Sequence, residues 1–470
     1  MQKLLKQILT SKVYEVAIET PLEESAVLSQ ALNNRILLKR EDLQPVFSFK
    51  LRGAYNRIVN LTVEERGRGV ITASAGNHAQ GVAFSGQKLG IKTTIVMPVT
   101  TPAIKISAVK SYGATVVLCG DNYSEAAEHC ALLVAQSGMI FIPPFDDELV
   151  IAGQGTVANE LLRQSAGNMD AVFIPVGGGG LLAGMAVFLK ALCPDVKVIG
   201  VEPVDSDAMG QSLDAGRRVK LDSVGIFADG VAVREVGKLT FELCRHHVDE
   251  IIRVDIDEIC SSIKSVYQAT RSIVEPAGAL ALAGLKKYVR ERDIKGQTLV
   301  AINSGANMNF DRLRYVAERT LSGEKQEALF AVTIPEEPGS LFRFCREVVG
   351  ERNITEFNYR LSGRESAYIF VGIAVDGDEQ RQLFSEQLDS HGFVNVDLTD
   401  NELAKTHVRY MVGGRSTDAR SERLFRFWPA LVYRNMGEVL NESLQLNPSK
   451  DIIVDHIKPN APWVARLLFW

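Results

Sequence analysis

The sequence predicts an α/β fold of parallel sheets followed by a small α+β module. Short β-branched runs alternate with longer helical stretches from about residue 35 to residue 309, the most unusual loops fall directly after those runs, and the rhythm changes beyond residue 320. Alternation at such spacings calls for right-handed βαβ units in parallel sheets. Sheets of that kind place their ligands beyond the carboxyl ends of the strands.

The elements follow in order. Met1-Gln2-Lys3-Leu4-Leu5-Lys6 opens a short amphipathic helix and lacks the apolar core of a signal sequence. Val70-Ile71-Thr72 reads as a strand, 79–89 as a helix and 93–97 as a strand. After Pro98 a helix over 102–112 leads into a strand at 115–118. A strand at 171–176, a helix at 181–192 and a strand at 196–201 follow, and a strand at 299–303 closes the series. The polar stretch 320–327 reads as a linker. Beyond it, strand 329–334, helix 340–349, strands 354–361 and 368–375, helix 378–388 and strand 393–398 spell βαββαβ, the ferredoxin-like order. The expected partition is therefore 1–320, a linker at 321–328, a module at 329–400 and a remainder at 401–470.

Bulk properties narrow the function classes. A chain of 470 residues is too long for one ordinary core. With 52 basic and 57 acidic residues the net charge is −5, so nothing global attracts nucleic acid or an anionic membrane, and an anionic ligand needs a local site. The longest apolar run, 171–193, is broken by Pro175 and four glycines and makes a poor membrane span. Six scattered cysteines with no C-x-x-C pair argue against a zinc site or a disulfide framework. They read mostly as buried core residues in a reduced, cytoplasmic setting.

Four constellations carry chemistry. In Ser48-Phe49-Lys50-Leu51-Arg52-Gly53-Ala54 a lysine has apolar neighbours, and desolvation would lower its pKa and free the amine for a Schiff base. Thr72-Ala73-Ser74-Ala75-Gly76-Asn77-His78 lies at a strand end and a helix start, where free N–H groups can receive a carboxylate. The same turn also reads as a simple helix cap by Ser74 or Asn77, with His78 a packed histidine. Gly177-Gly178-Gly179-Gly180-Leu181 exposes consecutive amides ahead of a helix, as a phosphate cradle does. Yet Gly178-Gly179-Gly180-Leu181-Leu182-Ala183, with Glu202 about twenty residues on, equally fits a nicotinamide-dinucleotide fingerprint. Ser304, in Asn303-Ser304-Gly305-Ala306-Asn307, can hydrogen-bond a ring nitrogen or cap a following helix.

The set, taken in order, resembles the fold-type II pyridoxal-phosphate enzymes, and most closely the biosynthetic threonine dehydratases. The resemblance runs from about Ile18 to Gly414 and includes Lys39-Arg40-Glu41-Asp42-Leu43-Gln44, Pro98 with Thr101-Pro102, Ala152-Gly153-Gln154-Gly155-Thr156 and Glu275-Pro276-Ala277-Gly278-Ala279. The dinucleotide reading explains one of these segments; the family explains all of them.

The resemblance implies two parallel-sheet subdomains around pyridoxal 5'-phosphate. It implies that Lys50 carries the cofactor as a Schiff base, with Phe49 on its ring and Asn77 at its ring hydroxyl. Gly177, Gly178, Gly179, Gly180 and Leu181 would hold the phosphate, and Ser304 would face the pyridine nitrogen. Ser74, Ala75, Gly76 and Asn77 are the expected grip on the substrate carboxylate. The implied reaction is dehydration of L-threonine, with L-serine as the alternative substrate.

The module at 329–400 resembles an ACT-like regulatory domain, with Pro335-Glu336-Glu337-Pro338-Gly339 turning into its first helix. In the family this region senses isoleucine, which implies feedback inhibition and a homotetramer. Glu422-Arg423-Leu424-Phe425-Arg426-Phe427 echoes Glu327-Ala328-Leu329-Phe330-Ala331-Val332 and starts a second such unit. Trp428-Pro429-Ala430-Leu431 then breaks the pattern, and the tail to Trp470 does not resume it.

Overall fold

The structure, a computed structural model, describes residues 2–310, 312–323, 326–335, 337–361, 366–401, 421–427 and 463–469. The chain divides into two compact units, 1–317 and 318–470.

The first unit holds two sheets. The larger runs in the order Leu22–Glu24, Arg35–Arg40, Thr298–Asn303, Ala171–Pro175, Lys197–Pro203, Glu250–Val254, parallel throughout except for its first edge strand. The smaller runs Thr115–Leu118, Thr93–Met97, Val70–Ala73, Ile140–Phe141 and is entirely parallel. Central strands are continuously apolar because both faces are covered. Ala171–Pro175 is buried at every position: Val172 and Ile174 pack toward helix Gly180–Leu192, while Ala171 and Phe173 pack toward helix Pro276–Arg292. The period of two along the strand thus feeds two separate cores. Helix Gln2–Leu9 buries Leu4 and Ile8 against the first of them.

One buried cluster is not apolar. Arg52, in helix Lys50–Val59, grips Glu41 through Nε and Nη2 (both 2.8 Å) and Glu160 through Nη1 at 2.5 Å. Lys39 completes it with Glu160 at 2.6 Å, and all four side chains are sealed from solvent. Two cations and two carboxylates balance, and Thr20, Thr156 and Gln164 satisfy further donors and acceptors.

The second unit has the expected ferredoxin-like order: strands Ile354–Leu361, Ser366–Ala374, Glu327–Pro335 and Val394–Asp397 lie side by side and antiparallel. Its core includes Phe330, Val332, Phe344, Phe357, Ile369 and Phe384. The helix expected at 340–349 is α-helical only over Ser340–Phe344 and continues as a π-helix over Cys345–Val349. Phe344, Val348 and Val349 are all buried in the core of this unit.

Several expectations need correction. The linker placed at 321–328 is shorter, since helix Arg312–Gly323 occupies its first residues and strand Glu327–Pro335 its last two. Of the cysteines, Cys130, Cys244 and Cys260 are buried, but Cys119, Cys193 and Cys345 are only half-buried, so burial is not the rule for most. The second echo does form a strand, Ser421–Phe427, which pairs antiparallel with Trp463–Phe469. The break at Trp428-Pro429-Ala430-Leu431 lies outside the described residues. Among the described residues no helix is long and apolar enough to cross a membrane.

Candidate active site

The four loops emerge from carboxyl ends of parallel strands and meet around one cavity of about 1000 Å3. Phe49, Lys50, Ser74, Ala75, Gly76, Asn77, Gly177, Gly178, Gly179, Gly180, Leu181 and Ser304 all line it, so every site residue expected from sequence is brought together.

Lys50 begins helix Lys50–Val59, and its Nζ donates to the carbonyl of Pro144 at 3.0 Å. Burial drives its pKa down to about 8, partly opposed by the Glu275 carboxylate. A carbonyl is a neutral partner, so the amine is held without being locked into its charged form. Nζ sits 5.4 Å from the Phe49 ring centroid. The Phe49 amide donates to the Ser304 carbonyl at 3.2 Å, and Ser48 forms a β-bridge with Gly305. These contacts tie the lysine segment to the serine loop.

The glycine loop accepts no side chain. A Cβ on Gly178 would sit 2.1 Å from the Phe145 ring, and Gly179, the N-cap of helix Gly180–Leu192, has φ +92°. Thr240 Oγ1 pins the loop by donating to the Gly178 carbonyl at 2.7 Å. Bare amides at the start of a thirteen-residue helix suit a phosphate. The dinucleotide reading is overturned here. Glu202 is sealed from solvent, and its oxygens accept from the Met209 and Gly210 amides at 2.9 and 2.8 Å, so it has nothing to offer a ribose. Burial lifts its carboxyl to about 8.

The simpler cap readings also fail. Helix Asn77–Leu89 is preceded by Gly76 and has no side-chain cap, which leaves its first amides to the cavity. The Ser74 hydroxyl accepts from Gly76 N at 3.3 Å instead. Ser304 Oγ, almost fully buried, donates to the Ala277 carbonyl at 3.2 Å and caps no helix. His78 is a packed histidine: its Nε2 lies 2.9 Å from the Ile142 carbonyl, and burial with the nearby Lys50 charge pushes its pKa to about 3.

Two residues in the recognised segments carry contacts that sequence reasoning did not assign. Glu275 accepts from Asn77 Nδ2, and Asn307 Nδ2 donates to Asn77 Oδ1 at 2.7 Å. Glu275 precedes Pro276 at the first turn of helix Pro276–Arg292, so in sequence it looks like a helix start. Its side chain makes no cap and turns to the cavity instead. Burial and the nearby Asp229 raise its carboxyl to about 7, against the opposing bond from Asn77 and the charge of Lys105.

Comparison with known proteins agrees with this geometry. Residues 13–305 match the pyridoxal-phosphate dependent enzyme family, and residues 318–408 match the C-terminal regulatory domain of threonine dehydratase. The chain is 56% identical over 426 residues to the biosynthetic L-threonine dehydratase of Burkholderia multivorans, covering 90% of this chain and 84% of that one. For the Escherichia coli counterpart the identity is 53%, covering 90% and 82%. The processed threonine deaminase isoform 2 of Solanum lycopersicum superposes with TM-score 0.67 at 52% identity, over 68% of this chain and 87% of that one. The chain belongs to the fold-type II pyridoxal-phosphate-dependent enzymes, in the branch of the biosynthetic threonine dehydratases.

Proposed function

We propose that the chain dehydrates and deaminates L-threonine to 2-oxobutanoate and ammonia, with pyridoxal phosphate held by the four loops. The observation that carries this reading is the Lys50 amine, its pKa lowered by desolvation, in one cavity with the bare glycine amides and Ser304.

The residues present fit the cofactor. Gly177 to Gly180 and Leu181 would hold the phosphate at the helix start, with Phe49 against the ring, Asn77 toward the ring hydroxyl and Ser304 toward the ring nitrogen. Bound there, pyridoxal phosphate supplies an electron sink for charge developing at the substrate Cα. Lys50, its pKa lowered to about 8, is neutral far more often near neutral pH than an ordinary lysine and would take the Cα proton as general base. The turn from Ser74 to Asn77 would hold the substrate carboxylate at the uncapped start of its helix. Ser304 is neutral and would place no carboxylate at the ring nitrogen, which would favour elimination over transamination.

Isoleucine as effector, a homotetrameric assembly and a cytoplasmic location complete the proposal. They draw support from the match to the threonine dehydratase regulatory domain and from the six free thiols.

The test uses purified full-length protein saturated with pyridoxal phosphate. It should contain an imine that borohydride traps on Lys50 and should release 2-oxoacid from threonine faster than from serine. Lys50→Ala should lose the visible band and nearly all activity; absence of a trappable imine in the wild type rejects the reading. Isoleucine should lower activity and raise thermal stability, and sedimentation should give a tetramer. No effect of isoleucine on either property rejects the effector.

A further inference from the structure

Asn77 carries an amide whose two ends differ only by a flip, and the ends have opposite hydrogen-bonding capacity. Which end faces each neighbour is therefore fixed by the neighbours. The chain of constraints starts at a backbone carbonyl. The Val46 carbonyl can only accept, and Asn307 Nδ2 donates to it at 2.8 Å. That contact orients the Asn307 amide. The second N–H of the same nitrogen then donates to Asn77 Oδ1 at 2.7 Å, which makes that end of Asn77 the acceptor. Asn77 Nδ2 accordingly faces Glu275 and donates to Oε1. The Asn307 backbone amide also bonds the Glu275 carboxylate, closing a ring of three residues. A flipped Asn77 would set two N–H groups against each other at Asn307 and two acceptors against each other at Glu275.

Asn307 Nδ2 spends both of its protons in this ring, but Asn77 Nδ2 spends only one. All three residues line the cavity. We infer that Asn307 is a positioning residue: oriented by the Val46 carbonyl, it fixes the Asn77 amide so that a second N–H is offered to an anionic ring oxygen of the cofactor. This rests on the reading above that Asn77 meets the ring hydroxyl. Glu275 secures the other side, and the charged groups acting on it are Asp229, Lys105 and Lys50. An N–H donated to the ring oxygen stabilises its anion and weakens its hold on the imine proton. Losing that donor should raise the pH at which the visible absorption titrates.

The experiment measures cofactor affinity and the spectral titration midpoint in the cofactor-loaded full chain, for wild type, Asn77→Ala, Asn307→Asp and Asn307→Ala. Asn307→Asp can accept but not donate. It should turn the Asn77 donor out of place, weaken cofactor binding about tenfold and raise the midpoint by about one pH unit. Asn307→Ala should do the same more weakly, by about threefold. Thermal unfolding of each cofactor-free variant checks the fold.

The outcomes separate cleanly. If Asn77→Ala changes neither affinity nor midpoint, the placement of Asn77 at the ring hydroxyl fails. If Asn77→Ala has its effect while both folded Asn307 variants match wild type, only the positioning role fails. If neither Asn307 variant folds, Asn307 belongs to the core and the inference is likewise overturned.

Discussion

Arg52→Met tests whether the buried charge cluster braces the catalytic lysine. In the native protein Lys39 and Arg52 neutralise Glu41 and Glu160 where no side chain reaches solvent. The substitution approximates the volume but leaves two carboxylates facing one ammonium. It deletes two bonds to Glu41 and one each to Glu160, Thr156 and the Ile18 carbonyl. These losses are not additive, and removing one member of a buried ion pair costs about 3–5 kcal/mol as a whole, chiefly from the stranded charge. The assay is urea unfolding of the cofactor-free protein, following the transition of the first unit by circular dichroism. Adding Glu41→Leu removes the stranded charge as well. The double variant should therefore recover about 2 kcal/mol relative to the sum of the singles. A single-variant loss below about 1 kcal/mol, or strict additivity, would refute the reasoning. Because Arg52 lies two residues after Lys50, a folded Arg52→Met protein should also show a lower kcat.

Three further outcomes follow from the site. Gly178→Ala forces a methyl into the Phe145 ring, so cofactor affinity should fall by tenfold or more, read by fluorescence titration, while stability drops by about 1–3 kcal/mol. Ser304→Asp places an anion at the ring nitrogen and should divert turnover toward transamination side products; unchanged product partitioning contradicts its assigned role. Glu202 keeps its proton in the native state up to about pH 8, whereas the unfolded chain releases it near 4.5. Its contribution to stability is therefore lost as pH rises through that window, and Glu202→Gln should flatten the decline in urea midpoint between pH 5 and pH 8.

Local patterns were legible where local chemistry decides them. Strands Thr93–Met97 and Thr115–Leu118 lie where their β-branched runs put them, and the glycine loop announced itself because bare amides need glycine. The roles of Glu275 and Asn307 were hidden because their partners lie far away in sequence. Asn77 is 198 residues from one and 230 from the other, and Val46 is 261 from Asn307. Arg52 was visible as part of the lysine segment, but its partners Glu41 and Glu160 come together only on folding. Glu202 misled for the opposite reason: its spacing mimics a ribose-binding acid, while helix Ala208–Asp214 takes up both oxygens. The π-helical turn at Cys345–Val349 was not visible in the sequence pattern, which reads as an unbroken helix over 340–349.

The two sheets of the first unit divide the labour of the pocket. Lys50, the glycine loop and Ser304 follow strands of the six-stranded sheet, while the Ser74 to Asn77 turn follows a strand of the four-stranded one. On the proposed reading, the loops that would moor the cofactor and the turn that would hold the substrate carboxylate follow strands of different sheets. The two are not independent: Asn77 is bonded across to Glu275 and Asn307, and the Lys50 amine to the Pro144 carbonyl just past strand Ile140–Phe141, so drift in one scaffold has to be answered in the other.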